Sequence, residues 1–124
     1  MATVNGTVTL QPTSVDGSLV SFVWTPMLNG DIGAPIEFGE YADRTVQFNG
    51  TFGAGGSVSV EGSNDGTNWY ILTQPGGTAA TKTAAGMLAI VELPHYIRPH
   101  VTAGDGTTSL TANLFVRRAS PMRT

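Results

Sequence analysis

Apolar and polar residues alternate over short runs, and this alternation is the dominant pattern of the chain. The run 44–52 shows it clearly, with Val46, Phe48 and Phe52 at positions of one parity and Thr45, Gln47 and Asn49 at the other. Successive side chains of a β-strand point to opposite faces, so this run predicts a strand with one buried face. No stretch keeps the 3.6-residue apolar period of a helix. The pattern therefore predicts an all-β protein.

Short runs of this kind, bounded by turn residues, predict about eight strands. They are 3–10, 19–25, 44–52, 57–63, 69–72, 86–93, 96–103 and 109–117, with a further brief edge strand within 74–85. We predict a loop over 26–39 and hairpin turns at Gly53–Gly56, Asn64–Asn68 and Gly104–Gly106. This arrangement is typical of an antiparallel β-sandwich, jelly-roll-like or immunoglobulin-like. We expect one domain over 1–118 with an N-terminal arm at about 1–8, and a flexible tail over 119–124.

The run 19–25 departs from simple alternation because both of its parities are apolar. Its apolar residues are Leu19, Val20, Phe22, Val23 and Trp24. Such a strand is covered on both faces, either inside the domain or by a partner. We expect burial in the domain core, and Trp24 and the nearby Met27 are the candidate subunit contacts if a partner covers this strand instead.

Composition narrows the classes of partner. The chain has 124 residues, of which 12% are charged, and a formal net charge of −3. Typical domains are about 25% charged, so Thr, Ser, Asn and Gly must supply much of the polar surface, which suits assembly. The negative balance argues against nucleic-acid binding, which uses a basic surface. No apolar run is long enough to span a membrane, and Met1-Ala2-Thr3 lacks the features of a signal peptide.

The residues that could carry chemistry favour a protein without a catalytic centre, cofactor or metal. Cysteine is absent, which excludes thiolate metal sites. His95 and His100 are five residues apart and lie on opposite faces of a strand, so they cannot share a metal. Neither the G-x-S-x-G motif nor a phosphate-binding loop is present. We expect turn-forming roles for the four aspartates that adjoin glycine, which are Asp16, Asp31, Asp65 and Asp105.

Two further features allow both a structural and a binding interpretation. Trp69 follows a predicted hairpin, and we expect it in the core, although stacking on a sugar is the alternative. Arg117, Arg118 and Arg123 form a small basic patch near the C-terminus. This patch is a candidate contact with an acidic partner surface, and a solvated chain end is the alternative.

The second half of the chain carries a more specific pattern. It comprises Ser57–Trp69, which includes Asn64-Asp65-Gly66-Thr67-Asn68, then Tyr96–Leu110, and it ends near Arg117-Arg118. Across residues 57–118 the chain resembles the small β-sandwich structural proteins encoded in the head gene clusters of tailed phages. That group includes capsid decoration, or cement, proteins.

The resemblance implies a structural protein on the outer surface of a phage capsid. Its partners would be the major capsid protein and further copies of itself, as a homodimer or homotrimer at a symmetry axis, after synthesis in the host cytoplasm. Such proteins extend an N-terminal arm over a neighbouring subunit. By location alone, Met1, Ala2, Thr3 and Val4 are the matching contact residues here. Neither nucleic acid nor a membrane is an expected partner.

Two rival hypotheses remain. The stretch 61–69 followed by Tyr96-Ile97-Arg98 is also similar to discoidin-type sandwiches that bind carbohydrates or lipid head groups. That family is usually longer and has an earlier aromatic strand ending in Asp-Leu-Gly, which this sequence lacks. A phage tail or adaptor component is the other alternative.

Overall fold

Eleven β-strands form two sheets in the computed structural model, which describes residues 2–10, 19–37 and 43–117. The seven longer strands are β2 (Gly6–Leu10), β3 (Leu19–Leu28), β5 (Asp43–Thr51), β6 (Ser57–Ser63), β9 (Gly86–Ala89), β10 (Tyr96–Ala103) and β11 (Ser109–Arg117). The four short ones are β1 (Thr3–Val4), β4 (Ile32–Gly33), β7 (Tyr70–Ile71) and β8 (Thr81–Lys82). These ranges contain no helix, and hence none that could cross a bilayer. The predicted all-β class is confirmed.

The strands divide between two sheets that pack face to face. The first sheet has the order β1-β4-β10-β6-β7, with β8 also paired to β6. The second sheet has the order β2-β3-β11-β5-β9. Every pair is antiparallel except β1 with β4, which is parallel. The predicted antiparallel sandwich is therefore confirmed.

The core lies between the sheets and is built from the apolar parity of each long strand. The second sheet contributes Val20, Phe22, Trp24, Val46, Phe48, Leu88, Leu110, Leu114 and Val116, and the first contributes Val58, Val60, Ile97 and Val101. In the predicted strands 44–52 and 57–63, the inward positions are confirmed at Val46, Phe48, Val58 and Val60, which are all buried. The indole Nε1 of Trp24 donates a hydrogen bond to the Ala34 carbonyl at 3.0 Å, which satisfies its one polar group inside the core.

Two connections predicted as hairpin turns are arches between the sheets. Residues 52–56 lead from β5 in the second sheet to β6 in the first, and residues 104–108 lead from β10 in the first to β11 in the second. The hairpin prediction is therefore wrong at both places. Asp105 joins the arches, because its Oδ2 accepts a hydrogen bond from the Ala54 amide at 2.9 Å. The Thr108 hydroxyl also donates to the Phe52 carbonyl at 2.7 Å.

Other predicted boundaries are partly right. The turn at Asn64–Asn68 does join two antiparallel strands, β6 and β7, and the segment 74–85 contains the brief edge strand β8. The predicted loop 26–39 instead contains the end of β3 and the short strand β4. The predicted strand 86–93 ends at Ala89, because the chain then crosses towards the first sheet. Glu92 anchors that crossing by accepting a hydrogen bond from the Thr73 amide at 2.8 Å.

The N-terminal residues lie along edges of this chain's own sheets. Thr3 pairs with Ile32 in the first sheet, while β2 pairs with β3 in the second. The Ala2 amide also donates to Asp31 Oδ1 at 3.1 Å. Contact of this segment with a neighbouring subunit stays a prediction. The predicted tail 119–124 lies outside the described residues.

Candidate functional site

A buried carboxylate organises the outer face of the first sheet. Glu61 is only 8% exposed, although its strand parity points it away from the core. Its two oxygens accept hydrogen bonds from Arg98 Nε and from His100 Nδ1, each at 2.9 Å. The register explains this contact, since Arg98 lies directly opposite Glu61, and His100 lies two residues further along β10 on the same face. Each carboxylate oxygen of Glu61 therefore has a hydrogen-bond partner on β10.

Trp69 extends this network across the face. The Arg98 guanidinium lies 3.9 Å from the centroid of the Trp69 ring, which is a cation–π contact. Trp69 is half-buried and packs near Tyr96, with 6.4 Å between ring centroids. The prediction of a core position for Trp69 is therefore wrong. The turn 64–68 places the ring on the outer face of the first sheet, where it covers the Arg98 guanidinium.

The two histidines have different carboxylate partners. His100 contacts Glu61, whereas His95 Nε2 lies 2.6 Å from Glu37 Oε2 at an exposed position ahead of β10. No group of three or more His, Cys, Asp or Glu side chains in the described ranges could hold a metal ion. Each histidine therefore forms part of a separate surface pair.

The predicted turn roles of three aspartates are confirmed. Asp65 Oδ1 accepts hydrogen bonds from the amides of Thr67 and Asn68, each at 2.8 Å, and these bonds hold the pKa of Asp65 below its ordinary value. Hydrogen bonds from Thr107 and from the Ala54 amide lower the pKa of Asp105 to about 2. Asp31 accepts a hydrogen bond from the Leu28 amide at 2.9 Å. Asp16 lies outside the described residues.

The outer face of the second sheet, here called the neutral face, is broad and nearly free of charge. The register places on it Thr7, Ser21, Val23, Thr25, Thr45, Gln47, Asn49, Met87, Ala89, Thr111, Asn113 and Phe115. Its hydrogen bonds join neutral groups, such as Ser21 Oγ to Asn113 Oδ1 at 3.2 Å. Charges appear at one end, where Arg117 Nη2 lies 3.2 Å from Asp43 Oδ2 beside a shallow depression of about 250 Å³.

A cleft of about 450 Å³ opens beside β6 and β7 at the edge of the first sheet, next to the connection between β9 and β10. Its lining comprises Gly62, Ser63, Asn64, Asp65, Asn68, Tyr70, Leu72, Glu92, Leu93 and Pro94. Tyr70 stands at its rim with 71% of its surface exposed. Seven large apolar residues of the described ranges are exposed, and five of them lie within 70–93, namely Tyr70, Ile71, Met87, Val91 and Leu93. Of these five, Tyr70 and Leu93 line the cleft.

The candidate partner contacts fall into three groups. Trp24 and Met27 are fully buried, so their side chains belong to the domain core and cannot contact a partner. Ala2, Thr3 and Val4 lie along the edge of the first sheet, and Arg117 lies at the end of the neutral face. Met1, Arg118 and Arg123 lie outside the described residues.

Sequence reasoning did not find the Glu61 network or the cleft. The available signal for the network was a charged residue on the outward parity of each of two strands, Glu61 and Arg98, but only the register shows that they are opposite one another. The signal for the cleft was Tyr70 next to Trp69, two adjacent aromatic residues after a turn. One strand edge cannot bury both of them, so one had to be exposed.

Comparison with known proteins identifies the fold but no family. No protein-family model and no curated protein matches the chain. The structure of the SPBc2 prophage-derived protein YomS is similar with a TM-score of 0.61 and 11% identity, over 84% of this chain and 98% of that one. Weaker likenesses are Peruvianin-I, a cysteine peptidase from Thevetia peruviana latex (TM-score 0.44, 14% identity, 84% of this chain and 53% of that one), and KdgF from Halomonas sp. (TM-score 0.40, 14% identity, 94% and 82%). The similarity to YomS shows a shared β-sandwich fold.

Proposed function

We propose that this chain is a structural protein of a tailed phage, and more specifically a capsid cement protein that binds the outer surface of the major capsid protein lattice. The observation that carries the proposal is the fold shared with a prophage-derived protein over 84% of this chain and 98% of that one. The sequence resemblance across 57–118 to phage head proteins supports the same assignment. The proposed role is binding, without catalysis.

The neutral face is the surface we assign to the capsid contact. Five strands about 4.8 Å apart, with four to ten residues each at about 3.4 Å per residue, give an area on the order of 600 Å². A standard protein interface buries about 800 Å² per partner. Interface centres are also depleted in charged residues, because each buried charge costs desolvation free energy. The size and neutrality of this face therefore suit a protein lattice as partner.

Self-association completes the proposed role. A cement protein at a symmetry axis contacts copies of itself, and the exposed apolar residues of this chain give a surface on which a second copy can pack. Among the described residues, β2 and β9 are the outermost strands of the second sheet, and their edges suit the same purpose. We expect a homodimer or homotrimer on the outer surface of the virion.

The test is binding to phage capsid shells assembled from the major capsid protein without this chain. The purified protein should co-sediment with the shells at a saturating, symmetric stoichiometry, and light scattering should give the size of the free oligomer. Asn113→Arg places a charge at the centre of the neutral face and should reduce shell binding by about tenfold or more, because the charge must be desolvated. Thr102→Arg places the same charge on the outer face of the first sheet and is the matched control.

Each outcome has a clear meaning. Shell binding that Asn113→Arg weakens and Thr102→Arg leaves intact supports both the function and the contact face. Equal loss in both variants would reject the neutral face as the contact. Incorporation into tails, with no binding to shells, would retain a phage structural protein and reject the cement role in favour of a tail or adaptor component. Absence from every part of the virion would overturn the whole proposal.

A further inference from the structure

The cleft on the side of the sandwich has no role in the proposed capsid contact. We propose that it binds a neutral oligosaccharide, which stacks on Tyr70 and is hydrogen-bonded by Asn64 and Asn68. The volume of about 450 Å³ lies within the range of about 300–1,000 Å³ that is usual for small-molecule sites. None of the cleft residues belongs to the neutral face.

The apolar part of the cleft is suited to the aliphatic face of a sugar ring. Leu72 and Pro94 form the floor, against which Gly62 packs so closely that a Cβ atom there would lie 2.6 Å from Pro94 Cγ. Tyr70 and Leu93 form the rim, and both are mainly exposed. In the described part of the structure, the Tyr70 hydroxyl has no hydrogen-bond partner. An exposed aromatic ring with a polar tip can therefore stack on a ligand and also donate to it.

The polar wall presents amide groups whose orientation is already fixed. Asn64 Oδ1 accepts a hydrogen bond from the His95 amide at 2.9 Å, which leaves its Nδ2 to donate elsewhere. Asn68 Nδ2 donates to Asp65 Oδ2 at 2.8 Å, which leaves its Oδ1 to accept. One free donor and one free acceptor on the same wall match sugar hydroxyl groups, which donate and accept. Because the loop already holds both amides, binding orders few new groups.

The charge of the cleft determines which oligosaccharides it favours. Asp65 and Glu92 are the charged residues of this lining, and neither has a cationic neighbour within it. Burial alone would raise the pKa of Glu92, but hydrogen bonds from Thr73 outweigh that effect and lower it, so Glu92, like Asp65, is ionised at neutral pH. The cleft is therefore negative and disfavours anionic glycans.

A basic side chain from a protein would also suit this charge, but the hydrogen bonding favours a sugar. Thr73 occupies both carboxylate oxygens of Glu92, through its amide to Oε1 at 2.8 Å and its hydroxyl to Oε2 at 2.5 Å. Asp65 likewise accepts four hydrogen bonds from within its own loop. A guanidinium fork would therefore have to share carboxylate oxygens that already accept hydrogen bonds. The unpaired groups are amides and a phenol, which suit neutral hydroxyl groups.

The test uses a printed array of neutral, sialylated and sulfated oligosaccharides, followed by NMR titration with the best neutral ligand. We expect neutral ligands to bind, with chemical-shift changes at 62–70 and 92–95. Tyr70→Ala should weaken binding by about tenfold, the effect of losing an aromatic contact. Ile71→Ala is the matched control, because Ile71 is the next residue of β7, is also exposed and does not line the cleft. It should bind like the wild type.

Three results would overturn this assignment: no neutral ligand on the array, equal binding of sulfated ligands, or binding that Tyr70→Ala leaves unchanged. Loss of shell binding in Tyr70→Ala without any glycan binding would instead identify a protein side chain as the occupant. The array uses free protein without shells, so its outcome is independent of the proposed capsid role. Failure of either proposal is therefore visible separately.

Discussion

The outer faces of the two sheets use polar residues in opposite ways. On the first sheet, Glu61, Arg98 and His100 form an ionic network beneath Trp69, and each group has its partner within the face. On the second sheet, the neutral face has hydroxyl and amide groups joined by neutral hydrogen bonds, with an ion pair only at its end. Both faces are polar, yet one is held together by charges and the other is nearly free of them.

Because of this difference, we expect the outer face of the first sheet to contribute to the stability of the fold and the neutral face to contribute to binding. Charged groups that are half-buried and paired are costly to disturb, because removing one leaves the other without compensation. Neutral hydrogen bonds can be exchanged for those of a partner at little net cost, since each contributes only about 1 kcal/mol. We therefore expect substitutions on the first face to change the free energy of unfolding, and those on the neutral face to change association.

The largest effect should come from Glu61→Ala. It leaves Arg98 and His100 half-buried without their carboxylate, and hydrogen bonds to charged groups contribute about 1.5–3 kcal/mol. We expect the free energy of unfolding to fall by about 2–3 kcal/mol in urea denaturation. Asn113→Ala on the neutral face is the control and should cost less than about 1 kcal/mol. Equal losses in the two variants would contradict the contrast between the faces.

A smaller loss is expected for Trp69→Ala. The substitution removes the ring over Arg98, and a cation–π contact of this exposure contributes about 1 kcal/mol. The Glu61 network remains, so thermal and urea unfolding should shift modestly. Trp69→Phe, which retains an aromatic ring, should recover part of the loss. Oligosaccharide binding should be unaffected, because Trp69 does not line the cleft, and a loss of that binding would tie the cleft to the first face.

The arches that join the two sheets should make the free energy of unfolding depend on pH. The pKa of Asp105 is about 2 in the folded chain, against an ordinary 3.8. A lowered carboxyl pKa stabilises the fold above the ordinary value, and this contribution is lost as the pH falls through 3.8 towards 2. Asp105→Asn should therefore flatten stability against pH in that window, as measured by urea unfolding at several pH values. An unchanged pH profile would show that the arches are held by other groups.

The smallest effect on stability should come from Gln47→Glu. This nearly isosteric change puts a charge on the neutral face and should alter the free energy of unfolding by about 0.5 kcal/mol or less. It should nevertheless weaken shell binding severalfold through the cost of desolvating the carboxylate. Gln74→Glu makes the same change outside that face and is the control for co-sedimentation. Equal shell binding by both variants would move the contact elsewhere.

Sequence periodicity predicted strands and their inward faces well. The bounds of β6, β10 and β11 agree with the predicted runs, and Val46, Phe48, Val58 and Val60 are buried as expected. These properties follow from alternation, which is local to each strand. The mixture of apolar parities over 19–25 predicted a strand covered on both faces, within the domain or by a partner. In the structure Val20, Phe22 and Trp24 are buried in the core as expected, whereas Val23 lies on the neutral face.

Which strands pair with one another could not be predicted from the sequence, because the same turn residues occur in hairpins and in arches between sheets. Gly53 and Gly55 adopt positive φ angles of 78° and 66°, which a hairpin turn could also require. The decision depends on distant pairing, in which β11 lies between β3 and β5. The Glu61 contacts depend on the same long-range register. For this reason the strands could be predicted, but their arrangement and the candidate sites could not.

The central position of β11 has a consequence for synthesis. The second sheet has β2 and β3 on one side of this strand and β5 and β9 on the other. In the part of the chain that the structure describes, the hydrogen bonds between these two halves all run through residues 109–117. A ribosome must therefore release these residues before either half can complete its hydrogen bonds. Until then the nascent chain exposes open strand edges and apolar faces, which favour aggregation. We therefore expect the second sheet to close only after β11 has left the ribosome.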